Sequence, residues 1–65
     1  MKITYDAQVD ILRIILCEVP IAESSEEKPG VILDYDENGN VVAFEIMNAS
    51  QRVDNPRDIK LAVNE

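Results

Sequence analysis

The sequence predicts a single small, mainly β domain over residues 1–65, with a four-stranded antiparallel β-meander at 1–47 and a short C-terminal helix at 54–64. Three observations support this class. Apolar and polar residues alternate in several short runs, which is the period of a strand covered on one face. Glycine, proline, asparagine and aspartate separate these runs. Asn55-Pro56 is typical of a helix start, with asparagine as N-cap and proline at the first helical position.

The first two runs predict a β-hairpin. MKITYD (1–6) alternates strictly, and DILRIILC (10–17) follows after a connection of three residues, 7–9. A helix over 9–16 is the competing interpretation, because Val9 and Leu12 also lie at helical spacing. The high content of β-branched residues favours a strand.

The middle of the chain predicts two more strands. EVPIAESSEEKPG (18–30) is polar and acidic, so we expect a loop that contains at most a short edge strand at 21–23. VILDYD (31–36) and VVAFEIM (41–47) then alternate on either side of ENGN. The expected core is the apolar face of the four strands: Ile3, Tyr5, Leu12, Ile14, Leu16, Val31, Leu33, Tyr35, Val42, Phe44 and Ile46. The C-terminal segment would cap it through Ile59, Ala62 or Val63, and a further strand is the open alternative for that segment.

DYDENGNVVAFE (34–45) satisfies the rule for a calcium-binding EF-hand loop, with Asp34, Asp36, Asn38, Gly39 and Glu45 in the required places. The flanking sequence contradicts the motif. Proline and glycine at 29–30 leave no room for an entering helix, and the residues after the loop alternate with period two. In a hairpin Glu45 would lie roughly 13 Å from the turn, at ~3.3 Å per residue. We therefore predict a hairpin turn that binds no calcium.

The hydrophobic pattern also selects a register for this hairpin. A four-residue loop at 37–40 places Leu33 and Tyr35 on the same face as Val42 and Phe44. A three-residue loop with a bulge at Gly39 is the alternative. It would turn Glu45, in the strand after the loop, to that face.

Composition excludes several function classes. The formal charge of −7 disfavours binding to nucleic acid or to an anionic membrane. No apolar run approaches the ~20 residues of a membrane span, and no signal-type segment precedes the domain, so a cytoplasmic protein is expected. Cys17 is the one cysteine and there is no histidine, so we expect no disulfide, no zinc site, no cofactor and no enzymatic activity. Asp6 and Asp10 flank the first turn and are more typical of turn formers than of an acid–base pair.

An ordered set of residues extends over most of the chain: Ile3-Thr4-Tyr5-Asp6, Asp10 with Leu12, Ile14 and Leu16, Glu23-Ser24, Pro29-Gly30-Val31-Ile32, Asp34-Tyr35-Asp36, Gly39, Val41-Val42, Phe44-Glu45-Ile46 and Asn48-Ala49-Ser50. This set resembles domain of unknown function family 2283, a family of small prokaryotic proteins. Arg13 stands where the family usually has tyrosine, and Ala43 where it usually has glycine. The resemblance implies a compact β-meander and no catalytic residue. It also implies that the protein is encoded beside another small protein, in an arrangement similar to toxin–antitoxin pairs.

These observations favour a protein-interaction module, in the form of an antitoxin-like partner of a small basic protein. The alternative is a self-associating homo-oligomeric structural protein with no catalytic activity. The expected interface, for a partner or a homodimer, is the face opposite the core: Ile11, Arg13, Ile15, Ile32 and Val41. Burying several hundred Å² of such surface would contribute on the order of 25 cal/mol per Å². The competing expectation is that the C-terminal segment crosses this face and leaves the protein monomeric.

Overall fold

The computed structural model describes residues 1–65, which form one five-stranded antiparallel sheet and one short helix. The elements are β1 (Lys2–Asp6), β2 (Ile11–Ile15), β3 (Glu23–Lys28), β4 (Val31–Tyr35), β5 (Val41–Met47) and α1 (Ala49–Arg52). The strand order is β1-β2-β5-β4-β3. The mainly β class is therefore confirmed, and the number of strands is corrected from four to five. No helix of this chain has the length and apolar character needed to cross a membrane.

The additional strand is β3, whose sequence ESSEEK was predicted to be loop. All six residues are exposed, so the strand has no apolar alternation that could identify it. It forms because the turn at Gly30, with φ +79°, folds it back onto β4, where Ser24 pairs with Asp34 and Ser25 with Leu33. Tertiary pairing here overrides a sequence with little strand propensity.

The sheet is a hairpin joined to a three-strand meander. The β1–β2 hairpin has the predicted regular pairing, and β3, β4 and β5 follow one another as a meander. The β2–β5 pair joins the two units. The predicted register of β4 and β5 is confirmed where Val31 pairs with Ile46 and Leu33 with Phe44. Near the turn a bulge shifts it by one residue, so that Tyr35 pairs with Val41.

The C-terminal helix predicted at 54–64 is wrong. Helix α1 lies earlier in the chain, just after β5, and the chain after it has only a turn near Asn55. The Asn55 side chain does accept a hydrogen bond from the Arg57 N–H at 3.0 Å, as an N-cap would. However, Ile59 and Val63 are exposed, and Leu61 is 81% exposed, so they cap no core. A short helix without an apolar surface to pack against is marginal in water.

The sheet is a single layer. The extensive contacts between elements all join laterally neighbouring strands, and no helix or second sheet covers either face. Of the predicted core, only Leu12 and Val42 are buried, whereas Ile3 and Leu16 are each 37% exposed. The other buried residues are Asp34, Ala43 and Ala49. The predicted core thus has the right face but remains half open to solvent.

Candidate functional site

One face of the sheet presents two continuous apolar rows across four strands. The register places Ile3, Ile14, Phe44 and Leu33 in one row, and Tyr5, Leu12, Ile46 and Val31 in the next. We call these eight residues the aliphatic face. Only Leu12 among them is buried, and six of the others are half-buried. Contiguous exposed apolar surface is typical of sites where a protein contacts another molecule, so the aliphatic face is the candidate site.

The aliphatic face has an acidic border on the β3 side. Glu23 pairs with Tyr35, and the Tyr35 hydroxyl donates a 2.8 Å hydrogen bond to Glu27 Oε1. That bond to Glu27, together with partial desolvation and the carboxylate charge, raises the pKa of Tyr35. Both glutamates are exposed. They form the acidic rim of this face. On the opposite side, the Arg57 guanidinium lies 5.6 Å from the centre of the Tyr5 ring.

The other face carries a polar cluster at its centre. Arg13 pairs with Glu45 across β2 and β5, and Asp34 lies on the neighbouring strand β4. Asp34 is only 1% exposed; its Oδ1 accepts a 2.5 Å hydrogen bond from Ser24 Oγ, and its Oδ2 lies 3.9 Å from Arg13 Nη2. We call Arg13, Asp34 and Glu45 the polar cluster, and the side that carries it the Arg13 face.

The two carboxyl groups of the polar cluster interact directly. The pKa of Glu45 is raised, first by its hydrogen bond with Asp34, then by desolvation and by the Asp34 charge, with Arg13 opposing these effects. Because the pKa of Glu45 is higher in the folded state than its ordinary 4.5, this group favours folding as the pH falls toward 4.5 and opposes it above its folded pKa.

Of the polar cluster, only Arg13 lines a pocket. An open pocket of about 320 Å³ lies between Arg13, Ile15 and the loop residues 17–21, and neither Asp34 nor Glu45 lines it. A second pocket, of about 410 Å³, lies between residues 19–22 and the β4–β5 turn. The contacts of Asp34 with Ser24, Arg13 and Glu45 join strands β3, β4, β2 and β5.

The predicted interface residues are only partly brought together. Ile11, Arg13 and Ile15 alternate along β2, and Ile32 lies on the same Arg13 face because it pairs with Glu45 opposite Arg13. The bulge in β5 separates Val41 from them, because Val41 pairs with Tyr35 on the side of the aliphatic rows. All five are half-buried. Asp34 lies on the same face as the four that remain together, and its side chain is buried there.

The EF-hand-like stretch folds as the predicted hairpin turn. The Asp36 side chain accepts hydrogen bonds from the N–H groups of Asn38 and Asn40, both at 2.9 Å. Gly39 has φ +82°, the left-handed conformation expected there. Asp34 and Glu45 belong to the polar cluster and not to the turn. No group of three or more acidic, histidine or cysteine side chains is placed to hold a metal ion.

Asp10 forms a contact that the sequence did not predict. With φ +57°, it accepts hydrogen bonds from the Tyr5 hydroxyl at 2.7 Å, the Ser50 N–H at 2.9 Å and Ser50 Oγ at 2.7 Å. It thereby caps α1, whose own N-cap Asn48 makes no side-chain bond. The Ser50 and Tyr5 bonds lower the pKa of Asp10, so its stabilising effect is present above its ordinary pKa of 3.8 and is lost as the pH falls through the lower folded value.

Asp6 and Cys17 have simpler surroundings. Asp6 accepts a 3.0 Å hydrogen bond from the Gln8 N–H, the turn-forming role that was predicted for it. Cys17 is a free, exposed thiol in the loop after β2.

Comparison with known families agrees with the strand pattern. The family model described as "Protein of unknown function (DUF2283)" matches residues 2–50, a span that includes all five strands. The chain belongs to this family. The resemblance seen in the sequence is thus confirmed. No curated protein and no solved structure matches the chain.

Proposed function

We propose that this DUF2283 protein is a protein-binding module whose aliphatic face receives a small basic partner. The observation that carries the proposal is the pair of apolar rows, Ile3 to Leu33 and Tyr5 to Val31, on a sheet that has no second layer. Stable domains bury a sheet face against another layer. A partner protein would supply that layer.

The small core of the chain favours a partner that covers the aliphatic face. A 65-residue chain buries little surface by itself, and only five of its residues are buried. Covering several hundred Å² of the aliphatic face would stabilise a complex by roughly 25 cal/mol per Å², from which the entropy cost of association must be subtracted. The gain is comparable with the whole stability expected of so small a domain, about 3–10 kcal/mol.

Charge supports a basic partner. The protein carries a formal charge of −7, and Glu23 and Glu27 border the aliphatic face without a cationic partner. An apolar surface with an acidic rim fits a segment whose apolar residues are flanked by lysine or arginine. Complementary charges of this kind raise the association rate and discriminate against acidic competitors. In its most specific form, the proposal is an antitoxin-like, non-enzymatic role toward a small basic protein.

The test begins with co-purification of the tagged protein from its native host at moderate salt. We expect one small basic protein in stoichiometric amount, whose binding is then measured with purified components. The variant Glu23→Lys/Glu27→Lys reverses the acidic rim, and Asp54→Lys/Glu65→Lys makes the same change in net charge elsewhere. We expect the first variant to weaken binding by about tenfold or more and the second to change it much less, since only the rim charges lie beside the partner.

Three outcomes would contradict this assignment. Equal weakening by both double variants would mean that the partner senses net charge and not this face. Loss of binding in Ile15→Lys, with no effect of the rim variant, would move the interface to the Arg13 face. A host preparation that contains only this chain would favour the self-associating alternative.

A further inference from the structure

The two edges of the sheet differ in their ability to pair with another strand. The β3 edge carries Glu23, Glu26 and Glu27, and its pairing with β4 is irregular between Glu26 and Lys28. Charges and irregularities of this kind protect an edge from pairing with a second copy. Strand β1 at the other edge has no net charge, no proline and a regular register along its whole length.

The β1 edge is also open. Four of its five residues are exposed. Apart from the ladder to β2, no backbone N–H or C=O group of β1 makes a hydrogen bond. The groups that point away from β2 are therefore available to another strand. The Lys2 ammonium forms no ion pair within the chain.

We propose that β1 pairs with β1 of a second copy of this chain, antiparallel and centred on Thr4. The sequence KITYD is complementary to itself when it is reversed. With Thr4 opposite Thr4, Lys2 faces Asp6 of the second copy at both ends of the pair, and Ile3 faces Tyr5. Opposite charges and an aromatic residue beside a β-branched one are both favourable cross-strand pairs. One register thus satisfies all five positions.

The pairing is compatible with the rest of the molecule. Lys2, Thr4 and Asp6 lie on the Arg13 face, because Thr4 pairs with Arg13, and Ile3 and Tyr5 lie on the aliphatic face. The two-fold axis of an antiparallel strand pair is perpendicular to the sheet, so like faces of the two copies lie on the same side. The dimer would be a continuous ten-stranded sheet with one joint aliphatic face. It does not depend on the proposed basic partner, although two copies of that site would make binding bivalent.

Charge reversal tests the register. Sedimentation velocity at low ionic strength, over a micromolar concentration range, should show a concentration-dependent dimer of the wild type. Lys2→Asp and Asp6→Lys each replace two attractive pairs by two repulsive ones, and each should weaken self-association by about tenfold or more. In an equimolar mixture of the two variants, each acidic edge meets a basic edge, so a heterodimer should form again. Circular dichroism verifies that the variants are folded.

Asp6→Lys removes the side chain that accepts a hydrogen bond from the Gln8 N–H, so it could disrupt the first turn. The variant Asp6→Asn, alone and combined with Lys2→Asp, controls for this effect. Asp6→Asn retains a side-chain acceptor and removes the charge. Added to Lys2→Asp, it should recover part of the lost self-association. A wild type that stays monomeric throughout, a dimer that ignores these substitutions, or a mixture that fails to associate would each overturn the proposal.

Discussion

Substitution of two glycines with nearly equal φ separates the cost of backbone strain from the cost of a steric contact. Gly39 has φ +82°, and a Cβ placed there would have no heavy atom within 4 Å. Gly30 has φ +79°, and its Cβ would lie 2.9 Å from Arg52 Nη2 and 3.2 Å from Cζ. Alanine at position 39 therefore introduces only the strain of the left-handed conformation, whereas alanine at position 30 must also displace a guanidinium group.

The expected magnitudes follow from this difference. Gly39→Ala should lower the free energy of unfolding by about 1–2 kcal/mol, the cost of an L-residue in that region. Gly39→Val should cost at least as much, and Gly39→Asn less, since asparagine tolerates positive φ. Arg52 Nη2 donates a 2.6 Å hydrogen bond to the Pro29 carbonyl. Losing that bond adds roughly 0.5–1.5 kcal/mol to Gly30→Ala.

Urea unfolding of the single variants and of the pair Gly30→Ala/Arg52→Ala checks the reasoning. In the Arg52→Ala background, the cost of Gly30→Ala should fall to that of Gly39→Ala, because the obstacle has been removed. If Gly30→Ala costs the same in both backgrounds, the guanidinium does not crowd this turn. A Gly39→Ala midpoint within error of the wild type would refute the strain argument itself.

Three further predictions concern carboxylates. Millimolar calcium should shift amide resonances weakly and without saturation; saturable micromolar binding that moves Asp34, Asp36 and Glu45 together would contradict the hairpin assignment. Glu45→Gln should raise the urea midpoint at neutral pH, where the wild-type carboxyl opposes folding, and should do so less near pH 4.5. An equal gain at both pH values would mean that protonation is not involved. Asp10→Asn, which keeps a side chain tolerant of positive φ, should lower the midpoint at neutral pH, and the deficit should shrink as the pH falls below 3.8. A deficit that persists unchanged in acid would point to geometry and not charge.

The local sequence pattern was sufficient to predict four of the five strands. In β1, β2, β4 and β5 an apolar residue returns at every second position along the aliphatic face, so the periodicity records which residues share that face. Strand β3 has six exposed polar residues and no such record. Its conformation depends on the turn at Gly30 and on pairing with β4, which local propensity does not encode.

Long-range contacts explain the remaining differences. The sequence pattern does not show that Asp34 is buried. The β2–β5 pair brings Arg13 and Glu45 beside it, and that pair joins segments about 30 residues apart. The Asp10–Ser50 contact spans 40 residues. At the C-terminus the Asn55 capping signal is real in the structure, yet no apolar surface meets the residues after it.

The polar cluster also bears on which face the protein uses. A sheet with two apolar faces and no second layer would associate through either of them, with no defined orientation. Placing Arg13, Asp34 and Glu45 at the centre of one face makes further burial of that face costly, because the exposed parts of Arg13 and Glu45 would then lose water. The two rows of the aliphatic face contain no carboxylate and no guanidinium group. In the complex that we propose, this distribution of charge favours association through the aliphatic face, and the Arg13 face would remain in solvent.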